Sequence, residues 1–74
     1  MIARLLLWNL VESKTTLAEL RTQLPQLSGD DVWIANEAQE RFGLIAFGEL
    51  PDVSRVVELI GGEPNVAEEF DVLD

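Results

Sequence analysis

"IARLLLWNL", residues 2–10, is the stretch whose reading decides the fold. It has the length and composition of a β-strand, but it does not alternate. One parity carries Ile2, Leu6, Trp8 and Leu10, and the other carries Ala3, Leu5 and Leu7. A strand with one face in water alternates apolar with polar residues, because successive side chains point to opposite sides of the sheet. Both faces of this strand therefore call for cover.

Outward from that strand, "VESKTT" is polar and ends in a helix start. Thr16 with Glu19 three residues later fits a capping box, Leu17, Leu20 and Leu24 form one helical stripe, and Pro25 closes the helix. "SGDD" reads as a loop, "VWIANEA" as a second strand and "RFGLIAFG" as a third, with residues 37–40 turning between them. Pro51 suits the first turn of a second helix, with Asp52 at its positive end. Val53, Val56, Val57 and Ile60 make its apolar stripe, and Gly61-Gly62 its stop. "VAEEFDVLD" is a last, more polar strand.

The order is βαββαβ over a single domain, residues 1–74. Two split βαβ halves with right-handed crossovers predict an α+β, ferredoxin-like fold. Its four-stranded antiparallel sheet has the order 4-1-3-2, with both helices on one face. That order puts the two most apolar strands in the centre and the strands holding Asn36 and Glu37, or Glu68, Glu69 and Asp71, at the edges, where charge guards against edge pairing. Which parity of the first strand meets the helices stays open, as does the choice between Phe42, Leu44 and Ala46 or Ile45 and Phe47 on the third.

Composition narrows the function. Fourteen acidic against five basic residues give a formal net charge of −9. A nucleic-acid binder needs Lys and Arg to displace counterions, so nucleic acid is disfavoured, as is an anionic membrane surface. No segment nears the roughly 20 apolar residues of a membrane span. Arg4 interrupts the N-terminal run and no small-residue cleavage site follows, so the expectation is a complete cytosolic chain. Histidine, cysteine and tyrosine are all absent. That removes Ser-His-Asp and Cys-His nucleophiles, imidazole acid–base work and zinc sites of the usual kinds. Neighbouring Glu68 and Glu69 point to opposite faces of a strand, and no metal or cofactor is expected.

Two short helices cover one side of a four-stranded sheet. The other side would leave five or six large side chains in water, on the order of 10 kcal/mol of unused burial, comparable to the stability of a small domain. The economical cover is a second copy, sheet against sheet about a two-fold axis. Arg4, Leu6, Trp8, Phe70 and Val72 are the expected interface residues, with Arg4 placed to meet an acid of the partner or to reach the sheet rim.

The βαββαβ order, "ARLLLWNL", the hairpin "VWIANEAQERFGLIAFG" and the closing "EEFDVLD" resemble the dimeric α/β-barrel proteins, whose ferredoxin-like chains pair through their sheets. The resemblance spans nearly the whole chain and is one of fold pattern. It implies a dimeric α/β barrel and a range of activities, among them cofactor-free monooxygenases, haem-dependent enzymes and proteins without known activity. The absence of histidine speaks against haem. The monooxygenases of that group are thought to hold an aromatic substrate with Asn, Trp and Arg. Trp8, Asn9, Trp33, Asn36 and Arg41 are the residues of those types here, set against their plain roles as core hydrophobes, turn former and ion-pair partner. The expectation is a homodimeric, non-catalytic binding or accessory module, with a possible small apolar or aromatic ligand. The alternatives are a cofactor-independent monooxygenase-like enzyme acting on an aromatic or polyketide-like substrate, and a small-molecule-sensing regulatory module.

Overall fold

A computed structural model describes residues 1–73. The elements run β1 (Ile2–Asn9), α1 (Leu17–Gln23), β2 (Val32–Asn36), β3 (Arg41–Phe47), α2 (Ser54–Ile60) and β4 (Val66–Asp71). The strands form one antiparallel sheet in the order β2-β3-β1-β4, which read from its other edge is the expected 4-1-3-2. Among the described residues no helix is long and apolar enough to cross a membrane.

Local chemistry sets the helix ends. Thr16 caps α1, its hydroxyl accepting from the Glu19 N–H at 3.3 Å. The Glu19 carboxylate accepts from the Thr15 hydroxyl at 2.9 Å, a side-chain contact in place of the N-cap backbone N–H that a capping box would use. α2 begins at Ser54, later than expected from Pro51. The reason is the Asp52 carboxylate, which accepts from the Ser54 N–H at 2.9 Å and the Ser54 hydroxyl at 2.7 Å and holds the chain in a side-chain turn before the helix. Gly61 ends α2 at φ 92°, donating to the Val57 carbonyl at 2.8 Å, a left-handed cap that glycine enters without a Cβ penalty.

Directly opposed residues of an antiparallel pair share a face. The β1–β3 register sets Leu6 opposite Leu44 and Trp8 opposite Phe42, and β3 sets Leu44 opposite Trp33. Leu6, Trp8, Phe42, Leu44 and Ala46 cluster with Leu20 of α1 and with Val56 and Ile60 of α2, so both helices cover this face. Trp8, Leu20, Leu44 and Val56 are the largest fully buried side chains. This decides the parity: the even residues of β1 and β3 lie under the helices and the odd residues face away. The Phe42 ring lies between the two indoles, with centroids 5.9 Å from Trp8 and 5.3 Å from Trp33, within the range of favourable aromatic pairs.

Gly43 sits mid-strand in an unbroken register, so it marks no bulge. A Cβ built there would stand 2.3 Å from the Leu6 carbonyl oxygen and 2.7 Å from a methyl of Leu7. The glycine lets β3 lie close against β1, and Leu7 folds over the space that a side chain would fill. Gly62, by contrast, has open space around it.

Gly43→Ala forces a backbone carbonyl to move and should lower the urea midpoint by the equivalent of about 1–3 kcal/mol, whereas Gly62→Ala should leave it nearly unchanged. The hydroxyl and N–H of Ser54 hold the Asp52 carboxyl below its ordinary 3.8. A depressed carboxylate contributes stability above its unfolded value, and that contribution is lost as pH falls through the lower folded value. The thermal midpoint of Asp52→Ala should therefore lie below wild type at neutral pH, with the gap closing as the pH is taken below 3.8.

Candidate functional site: the open face of the sheet

The face turned away from the helices is built from the odd residues of β1 and β3 with their partners on the edge strands. Read across the sheet, Ala3 stands between Phe47 and Phe70. Leu5 stands between Ile45 and Glu68, with Val32 beyond Ile45. Leu7 stands between Gly43 and Val66, with Ile34 beyond Gly43. The last row is polar, with Arg41 between Asn9 and Asn36. Three apolar rows thus run up to one polar row at the C-terminal end of β1. Val32, Phe47 and Phe70 are 46%, 36% and 48% exposed, respectively. Leu5, Leu7, Ile34 and Ile45 are half-buried by their neighbours in the sheet alone.

The charge on this face differs from that of the chain. Of fourteen acids and five bases, the register places only Glu68 and Arg41 on these rows, so the face is close to neutral. Arg4 points to the other side, where its guanidinium meets Glu69 of the same chain at 3.3 Å and donates to the Gly48 carbonyl. An expected contact with a partner's acid is thus made within one chain, because Arg4 and Glu69 are cross-strand neighbours.

The expected interface residues divide accordingly. Leu6 and Trp8 are 6% and 1% exposed and belong to the helix-covered core, which corrects their assignment to a sheet-face contact. The opposite parity, Ala3, Leu5 and Leu7, faces outward in their place. Phe70 lies on the open face, and Val72 follows β4, exposed, with its N–H bonded to the Met1 carbonyl at 3.0 Å.

The five residues considered for a ligand divide too. Trp8 and Trp33 lie on the helix side, and their indole N–H groups donate to the carbonyls of Gly62 at 3.0 Å and Pro25 at 3.1 Å. Asn9, Asn36 and Arg41 lie together on the other face. Trp8 borders a hollow together with Asn9 and Arg41, but Trp33 and Asn36 are not in its lining, so the five do not line one chamber. Sequence reasoning missed Asn65, whose Oδ1 accepts from the Asn9 N–H at 2.8 Å and which joins the polar row from the turn before β4. Its neighbour Pro64 marks a turn, but only the β1–β4 register places that turn beside Asn9.

Among the described residues no group of three or more acidic side chains is arranged to hold a metal ion. In the loop before β2, the Asp31 carboxylate accepts the Phe47 N–H at 2.8 Å. In comparison with known proteins, no family model and no curated protein matches the chain.

Trp8→Phe should destabilise the fold by about 1–3 kcal/mol, through the orphaned Gly62 carbonyl and the space left by the smaller ring. Chemical denaturation followed by circular dichroism checks this.

Proposed function

We propose that the protein is a non-catalytic binding or accessory module of the cytosol that works as a pair of copies joined through the open sheet face. The observation that carries the reading is the composition of that face: on a chain of net charge −9, three rows hold apolar residues and one acid, and the polar row that ends them holds one base. A like-charged chain self-associates only through a surface that excludes its excess charge, and this face does so. The pairing gives the ferredoxin-like, dimeric α/β-barrel arrangement that the strand order resembles.

Size sets the strength of the pairing. The accessible surface is 5126 Å² for 8.3 kDa, against about 4,600 Å² for a typical monomer of that mass. The excess fits a sheet left open on one side. Four strands about 4.8 Å apart, with rows spanning some six residues, make a flat patch of roughly 400 Å² per copy. With side-chain relief, two copies bury on the order of 1,000 Å², at the lower bound for a specific interface. The pairing is accordingly reversible and concentration-dependent.

The oxygenase alternative needs Trp, Asn and Arg around one substrate. Trp8 borders a hollow with Asn9 and Arg41, but both indole N–H groups are taken by the carbonyls of Gly62 and Pro25 and Trp33 stands apart from that hollow, so the five do not converge on one substrate.

Sedimentation velocity over a dilution series tests the reading. The wild-type chain should shift from monomer to dimer with rising concentration. Leu5→Glu, which puts a charge in the middle of the face without touching the helix-side core, should stay monomeric with unchanged circular dichroism. A wild-type chain that stays monomeric at the highest soluble concentration overturns the proposal.

A further inference from the structure

The polar row at the end of the open face has an unusual donor balance. A backbone N–H can only donate, so an asparagine side-chain atom that meets one must be the oxygen. Asn9 Oδ1 receives the Val11 N–H at 3.1 Å, Asn36 Oδ1 the Gln39 N–H at 3.2 Å, and Asn65 Oδ1 the Asn9 N–H at 2.8 Å. All three amides therefore have their acceptor ends engaged by the chain and present their NH₂ ends. Between Asn9 and Asn36 stands Arg41, exposed and, among the described residues, without an ion pair. The other three arginines are engaged by Glu69, Glu37 and Glu58. Of the acids in the neighbouring turn, Glu37 and Glu40 line a groove on the α1 side.

A guanidinium flanked by amide donors, with no acceptor of its own, is matched by an anion of planar, two-oxygen geometry. Two hollows of about 190 Å³ and 170 Å³ adjoin Arg41 and share Leu7 as a wall. One runs over Gly43 toward Ile34, and the other runs past Trp8, Asn9 and Asn65 to Val66. Together they reach the low end of the roughly 300–1,000 Å³ range of small-molecule sites. Their floor is apolar, and their only charge is the arginine.

We propose that Arg41 and the amides of Asn9, Asn36 and Asn65 form a binding site for a small apolar monocarboxylate. The carboxylate sits on the guanidinium, and the apolar body lies over Gly43 between Leu7 and Ile34. One cation with neutral donors balances one negative charge. The net charge of −9 disfavours dianions. The site is complete within one chain, but Leu7 and Ile34 also belong to the face proposed above for pairing, so ligand and second copy compete for them. The shared chemistry, a carboxylate on Arg41, could also come from Glu68 of a second copy, and the assay includes an arm for that source.

Titration of ¹⁵N-labelled protein with benzoate tests the site, with benzamide as the neutral isostere. Benzoate should produce saturable shifts in the side-chain amides of Asn9, Asn36 and Asn65 and in the Gly43 backbone N–H, while benzamide produces little. Arg41→Gln, at an exposed position, should keep the fold and weaken benzoate by at least about tenfold, the loss of one charge-assisted hydrogen bond. Absence of saturable shifts, equal binding of benzamide, or full retention in Arg41→Gln overturns the proposal. So does benzoate binding that emerges only in Glu68→Gln, since Arg41 would then be occupied by the side chain of a second copy. Sedimentation of the same samples reports on pairing separately, so either proposal can fall without the other.

Discussion

The register between β1 and β3 is the constraint on which the rest of the structure depends. With Leu6 opposite Leu44 and Trp8 opposite Phe42, the bulkiest apolar residues of both central strands fall on the face the helices cover. A slip of one residue would keep one strand's set under the helices and turn the other's outward, since the side-chain period of a strand is two. In the observed register Phe42 lies between the two indoles, and each indole N–H reaches a carbonyl outside the sheet. Burial and polar satisfaction then agree on one alignment. Among the described residues, no buried side-chain nitrogen or oxygen lacks a partner.

The same alignment creates the open face. Once the even residues are committed to the core, Leu5, Leu7, Ile45 and Ile34 have no cover from their own chain, and the single Glu68 and Arg41 fall at separate places on the surface they make. The other acids among the described residues lie in turns and loops, on the helices and on the helix side of β4. Solubility and a neutral contact face thus coexist in a small protein because the pleat sorts neighbouring residues to opposite sides. Arg4 and Glu69 illustrate the sorting: they pair across strands on the helix side and keep their charge off the open face.

Much of this was legible in the sequence, and the reasons differ by element. The capping threonine, the glycine stop after Ile60 and the order of the strands rest on local chemistry and on connection rules, and they hold with shifts of a few residues. The start of α2 was misplaced because the Asp52 side chain makes a turn that competes with the helix. The site was less legible. Trp8, Asn9, Trp33, Asn36 and Arg41 stand out by residue type, but type does not say which face a side chain takes. Asn9 and Arg41 meet through strand pairing over 32 residues of separation, with Asn36 joining across the β2–β3 hairpin, whereas the tryptophans turn to the other side.

The amino-acid sequence by itself determined the element order, the central place of the two most apolar strands and an excess of apolar surface beyond what two short helices can cover. These follow from composition and periodicity, which act along the chain. Only the tertiary structure decided which parity meets the helices, that Leu7 fills the space at Gly43, and that Arg41 lies among amide donors at the end of an apolar face. Both parities of β1 are apolar, so hydrophobicity alone leaves the two faces nearly equivalent. The choice falls to packing: Trp8, Trp33 and Phe42 fit beneath the helices, and the smaller residues are left outside.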